Sequence, residues 1–166
     1  MRHEYLSVYN LSNHKITSDQ ISVGEISVGG GGYLLREHDF ASDGKDSGSY
    51  ELFTISGAVR VKLLPICVTN LVSKAGNNDS KLYLKSGAIS IIGKTSAADI
   101  DADEAWVSNA AATMLKVINT SAILDKVLPN QTEIRLFIDS EAMTTGVINF
   151  HCWWEPIDEG ATLVVA

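Results

Sequence analysis

The stretch SGAVRVKLLPICV, Ser56 to Val68, places Val59, Val61, Leu63 and Cys67 on one parity and Arg60 and Lys62 on the other. Successive side chains of a β-strand point to opposite faces. The segment is therefore a strand with one buried and one wet face, the habit of antiparallel sheets. Pro65 has no N–H to give a ladder, so an edge or a bulge is expected near the strand's end. The alternation recurs in TEIRLFID, which sets Ile134, Leu136 and Ile138 against Glu133, Arg135 and Asp139. KLYLKSG, GAISIIGKT, GVINFHCWWEP and ATLVVA are further short strand-like runs, and GNNDS, Gly76 to Ser80, is a turn. Turn signals return at the spacing of about 8–12 residues expected of a sandwich, barrel or jelly roll. Nothing alternates strand with long helix, which argues against a parallel α/β fold. The fold class read from this is all-β: a jelly-roll-like or related antiparallel β-sandwich. A chain of 166 residues suffices to bury a real core.

One stretch leans helical. DIDADEAWVSNAAATMLKV opens with acids and is filled with alanine, which suits a short helix near Glu104 to Ala112, although AWVSN and MLKVIN also read as strands. The first 49 residues differ from the rest. ISVGEISVGGGGY holds a near-repeat, Ile21-Ser-Val-Gly24 and Ile26-Ser-Val-Gly29, then glycine through Gly32, then the polar, turn-rich REHDFASDGKDSGSY. The reading is an N-terminal arm over 1–49 with a Gly-rich hinge at Gly29–Gly32 and a loop after it, followed by the sandwich domain over 50–166.

Charge narrows the partners. The formal net charge is -7 and Arg60 with Lys62 is the densest basic grouping, so the chain lacks the footprint needed to bind nucleic acid. No apolar run approaches the ~20 residues of a membrane-spanning helix. MRHEYLSVYNLSNHK has no apolar core segment, so no export signal is read. Cys67 and Cys152 are then expected to be buried free thiols. The sequons at Asn10, Asn78, Asn119 and Asn130 are read as turns rather than glycan sites.

The densest chemistry lies in HCWWE, His151 to Glu155. Strand parity divides it. Ile148, Phe150, Cys152 and Trp154 share an apolar face, whereas Asn149, His151, Trp153 and Glu155 share the other. His151 and Cys152 thus point apart and cannot act as nucleophile and base. Cys152 is read as a core residue, and His3, His14 and His38 as belonging to the N-terminal third. His151, Trp153 and Glu155 form the candidate contact surface, either for a partner protein or for a sugar ring. GGGGYLLREHD lacks the lysine of a phosphate loop and the helix of a dinucleotide site. A calcium loop from Asp99 fails at its sixth and twelfth places, which hold Glu104 and Ala110. No cofactor, metal or catalytic residue is expected.

Two segments resemble a known family. EAMTTGVINFHCWWEPIDEGATLVVA and ISGAVRVKLLPICVTNL are similar to the strands of small all-β virion proteins of tailed bacteriophages, over about residues 50–166. The resemblance implies a jelly-roll-like sandwich on capsid or tail, assembled as a trimer, and it brings no catalytic residues. The expected function is a capsid decoration (cement) protein of the virion that binds the major capsid protein as a homotrimer, assembled in the host bacterial cytoplasm. No membrane, nucleic acid or small-molecule substrate is expected. The alternative is a carbohydrate-binding module on a tail or fibre, with Trp153, His151 and Glu155 as its platform. A cupin-like metal enzyme is a third class and needs inward-facing histidines that the sequence does not supply.

Overall fold

A computed structural model describes residues 21–22, 25–28, 31–74, 80–107, 112–113, 124–129 and 131–166, of which 21–28 and 112–113 are described as backbone only. The described chain is strand almost throughout. In order it forms β1 (Ile21–Ser22), β2 (Glu25–Val28), β3 (Gly31–Asp39), β4 (Gly48–Ser56), β5 (Val59–Ser73), β6 (Lys81–Ser86) and β7 (Ile89–Ser96). After a 3-10 turn at Ala97–Asp99 come β8 (Glu104–Ala105), β9 (Ala112–Thr113), β10 (Leu124–Leu128), β11 (Glu133–Asp139), β12 (Met143–Pro156) and β13 (Thr162–Val165). Among the described residues the strands make two sheets. One runs β1-β2-β3-β12-β5-β8-β9, with β10 also paired to β5, and the other runs β13-β4-β11-β6-β7. The strand pairs of both are antiparallel. The protein is an all-β antiparallel sandwich.

Alternation in sequence becomes inside and outside in space. Val59, Val61, Leu63, Cys67 and Leu71 of β5 and Ile148, Phe150 and Cys152 of β12 are buried in one continuous core with Leu82, Leu84, Ile134, Leu136 and Ile138 of the second sheet. Trp106 lies wholly inside this core and its indole N–H donates to Thr95 Oγ1 at 2.9 Å, so its one polar atom is satisfied.

Pro65 sits in the interior of the first sheet rather than on an edge strand. Phe150 is opposite it on β12, while its carbonyl accepts from Trp106 N at 2.9 Å on the far side. N and O of one strand residue face the same side. The missing donor therefore falls where β10 has ended at Leu63 and β8 begins at Ile66, and no ladder bond to β12 is lost.

Four local expectations need correction. The loop expected after the glycines contains the second half of β3, and Phe40 following it is fully buried. The sandwich therefore takes in residues from Gly31, ahead of the expected boundary at 50. Gly31 and Gly32 belong to β3 rather than to a hinge. A Cβ on Gly31 would lie 2.5 Å from the Trp154 carbonyl oxygen, so glycine is needed there for close approach to β12. His38 is a core residue of β3, not part of a free arm: it is 1% exposed, and its Nε2–H donates to the Gly44 carbonyl at 3.0 Å. Finally, Glu104–Ala105 is a strand paired to β5 through Ile66, where a helix was expected. Burial of Ala105 beside Leu64 and Val107 outweighs the helical bias of acids and alanines. Residues 108–111 of that predicted helix lie outside the described residues. So do the turn at 76–79, the four sequons, His3 and His14.

Candidate functional site

β12 is central in the first sheet, held by β3 on one side and β5 on the other. A bulged region near its start decides which way its side chains point. From Met143 opposite Ser73 to Ile148 opposite Cys67, β12 takes five steps where β5 takes six. A one-residue offset flips a strand's faces, so burial passes from an odd position, Met143, to the even positions Ile148, Phe150 and Cys152. Gly146 sits in this region with φ +128.

Beyond the bulge, Cys152 is fully buried and Trp153 is 40% exposed. Reading across the sheet, Trp153 has Tyr33 of β3 on one side and Lys62 of β5 on the other, and Lys62 in turn faces Asp125 of β10. One row over, Glu155 faces Arg60 and His151 lies between Leu35 and Leu64. The Tyr33 hydroxyl is hydrogen-bonded to His151 Nδ1 at 2.7 Å. Ring centroids are 5.3 Å apart for Tyr33 and Trp153, 6.0 Å for Tyr33 and His151, and 6.3 Å for His151 and Trp153. The result is a patch of three rings on a rigid sheet face, with Leu35 exposed beside it.

A charged border adjoins the rings. Arg60 grips Asp125 through two parallel bonds, Nε–Oδ1 at 2.9 Å and Nη2–Oδ2 at 2.8 Å, and reaches Glu155 at 3.2 Å. The hydrogen bond to Asp125 holds the Arg60 guanidinium well above its usual range and pulls Asp125 below the usual carboxylate range. Arg60, Lys62, Trp153, Trp154 and Glu155 line a shallow depression at this border. The three sequence candidates thus separate in role. His151 and Trp153 join Tyr33 in the ring patch, whereas Glu155 belongs to the ion-pair border.

Burial sets the protonation of the titratable groups on these strands. Burial lowers the His151 pKa and raises that of Tyr33. Burial also pushes the Cys152 thiol up strongly and the Cys67 thiol up to about 11, with Asp101 and Glu104 adding to the latter. Both thiols are therefore protonated at neutral pH, which suits core residues rather than nucleophiles. Among the described residues no group of three or more His, Cys, Asp or Glu is arranged to hold a metal ion, and no helix is long and apolar enough to cross a membrane.

Sequence reasoning missed Tyr33, assigned to the hinge segment, and Asp125. It also missed a second aromatic pair. Tyr83 of β6 and Phe137 of β11 stack at 4.8 Å and 8° on the outer face of the other sheet, with Lys94 over Tyr83 and ion-paired to Asp139. The signal was present, since Phe137 shares the polar parity of Arg135 and Asp139 in TEIRLFID.

Comparison with known proteins finds no matching family model and no matching curated protein. Two solved phage capsid structures contain chains similar to this one. One is the acidic stable capsid structure of Helicobacter pylori bacteriophage KHP30, at 13% identity and TM-score 0.37, covering 80% of this chain and 92% of that one. The other is the cyanophage Pam1 capsid asymmetric unit, at 13% identity and TM-score 0.33, covering 85% of this chain and 98% of that one. Both are weak resemblances to phage structural proteins.

Proposed function

We propose that this chain is a structural protein of a bacteriophage virion, a capsid decoration protein that stabilises the head by binding the major capsid protein as a homotrimer. The observation that carries this reading is the ring patch on β3 and β12. Trp153, Tyr33 and His151 stand on central strands rather than on loops, bordered by the charges of Arg60, Lys62 and Glu155. An aromatic centre with a polar rim is the anatomy of a protein–protein contact, and a stable contact buries about 1,600 Å² in total. The resemblance of the two strand segments to small all-β virion proteins supports a partner in the virion. The protonated, buried thiols support a role without catalysis.

The test is co-sedimentation of the purified protein with capsid shells from phage-infected cells, alongside its solution mass. A trimer that travels with shells, and a Trp153→Ala variant that folds but stays behind, is the expected result. A monomer that ignores shells and binds a glycan array, with binding lost in Trp153→Ala, would overturn it in favour of a carbohydrate-binding module. That second reading has one observation behind it. Trp153 and Tyr33 form a tilted two-ring seat, and the exposed Lys62 stands directly opposite Trp153.

A further inference from the structure

The connection from β3 to β4 passes from the first sheet to the second and so crosses one end of the sandwich. Residues 41–47 of this strap are exposed except Gly44, which is half-buried. Three successive strap carbonyls are each held by a different strand. Gly44 O accepts from His38 Nε2–H of β3 at 3.0 Å, Lys45 O from the Met143 N–H of β12 at 2.7 Å, and Asp46 O from the Tyr50 hydroxyl of β4 at 2.9 Å. Gly44 is pressed against the Tyr50 ring, where a Cβ would lie 1.9 Å from a ring carbon. Of the three donors only His38 changes its charge near neutral pH. Its setting suits the neutral ring. His38 is 1% exposed, with the Phe40 ring centroid at 4.7 Å and that of Tyr50 at 5.5 Å. Its Nδ1 has no hydrogen-bond partner. A proton added there creates a buried charge and a buried N–H with nothing to accept it.

The surrounding groups do not reverse this. Burial is the largest influence on the ring and disfavours its charge; the Gly44 carbonyl, Asp43 of the strap and Asp39 favour the charge, and Arg36 of β3 opposes it. Arg36 is itself engaged with Asp43 at 3.7 Å. From β12 the residue opposite His38 is Ile148, backed on β5 by the protonated thiol of Cys67, and β4 brings the Tyr50 phenol. Water reaches a charged His38 only when a neighbour moves. The strap is the neighbour that gives up least burial, as expected of a segment that opens locally.

We infer that His38 is an acid-sensitive latch: protonation of its ring releases residues 41–47 from the end of the sandwich and opens the Tyr50 ring to solvent, with both sheets intact. In the open form the ring has its ordinary pKa of 6.5, and in the closed form a lower one. Closure is therefore fully favoured above pH 6.5 and weakens as the pH falls below it. The latch lies apart from the ring patch of β3 and β12 and does not depend on the partner proposed for that patch.

Amide hydrogen exchange of the full chain, followed by NMR and corrected for the intrinsic rate at each pH, reads the latch at the Met143 N–H, whose acceptor is on the strap. Its protection is expected to fall between pH 7.5 and pH 5.5, by up to about tenfold, the limit for a ring that takes its proton only when open. Carboxylates stay ionised over this range. The Ile55 N–H, which donates to the Thr132 carbonyl at 2.7 Å, is expected to keep its protection. In a pH titration of the same sample, the His38 ring and the Met143 amide are expected to shift with one midpoint, below 6.5. His38→Gln keeps a side-chain N–H for Gly44 and is expected to abolish the pH dependence. Tyr50→Phe removes the bond to Asp46 and is expected to lower Met143 protection at both pH values while preserving their ratio. Constant Met143 protection in the unsubstituted chain, an equal loss at Ile55, separate midpoints, or an undiminished pH dependence in His38→Gln overturns the latch. The titration of the unsubstituted chain decides the matter even where His38→Gln fails to fold.

Discussion

Gly146 offers a direct test of how β12 is aimed, with Gly160 as its control. Both have positive φ, +128 and +76. Their surroundings differ. A Cβ on Gly146 would lie 2.6 Å from Leu71 Cδ2, 3.0 Å from Leu71 Cα and 3.2 Å from the Asn70 carbonyl oxygen, whereas a Cβ on Gly160 would meet nothing within 4 Å. Gly160→Ala thus carries only the conformational cost of an L-residue at positive φ, about 1–2 kcal/mol. Gly146→Ala carries that cost and adds overpacking against backbone atoms that cannot swing away, about 1–3 kcal/mol more. The sum of about 2–5 kcal/mol is a large share of the ~5–15 kcal/mol of a typical domain. At about 2–4 °C per kcal/mol for a chain of this size, the melting temperature should fall by about 4–20 °C for Gly146→Ala and by about 2–8 °C for Gly160→Ala. Parallel thermal and urea melts measure both. Equal losses for the two variants would refute the claim that Leu71 and Asn70 close over Gly146. Moreover, because the bulged region sets the outward parity of Trp153, Gly146→Ala should change iodide quenching of tryptophan fluorescence under native conditions, and Gly160→Ala should leave it unchanged.

The remaining predictions concern titratable and core groups. Neither native thiol should react with a disulfide reagent at pH 8 until the protein is unfolded, after which two should titrate; rapid reaction of the folded protein would show that burial has been misread. Burial holds the His38 pKa below its usual 6.5, outweighing the Gly44 carbonyl and Asp43. The unfolded chain therefore binds the proton more readily, so His38's contribution to stability is full above pH 6.5 and declines as the pH falls below it. Melts from pH 7.5 to pH 5 should show this decline, reduced in His38→Gln. Trp106→Phe should cost about 2–4 kcal/mol in urea unfolding, through the cavity and the lost bond to Thr95, and a loss under 1 kcal/mol would argue against a closed core at that point.

Much of the sandwich was legible because burial on one face of a sheet leaves a period of two in the chain. TEIRLFID and GVINFHCWWEP show which residues point inward without any knowledge of their partners, and on that basis His151 and Cys152 fall on opposite faces. The parity of Trp153 was readable for the same reason. The ISVG near-repeat was also visible in the sequence, but not that Ile21 and Ile26 would lie opposite one another in paired strands. In contrast, REHD was obscured by its polar content. Leu35 and Glu37 face out, His38 faces the core, and Arg36 stands at the sandwich margin beside Asp43, so burial has little apolar signal to leave in the sequence.

What the sequence determined by itself is local: for runs with a clear period of two, such as TEIRLFID and GVINFHCWWEP, that they are strands and which parity is apolar. Only the tertiary structure decided which strands lie side by side. Tyr33 stands 118 positions before His151, and Arg60 stands 65 before Asp125, yet each pair is in hydrogen-bonding contact. Antiparallel pairing is made by backbone groups common to every residue, so the sequence carries no direct mark of a strand's neighbour. That neighbour is chosen by the packing of all the apolar faces at once. The patch of Tyr33, His151 and Trp153 is a product of that choice.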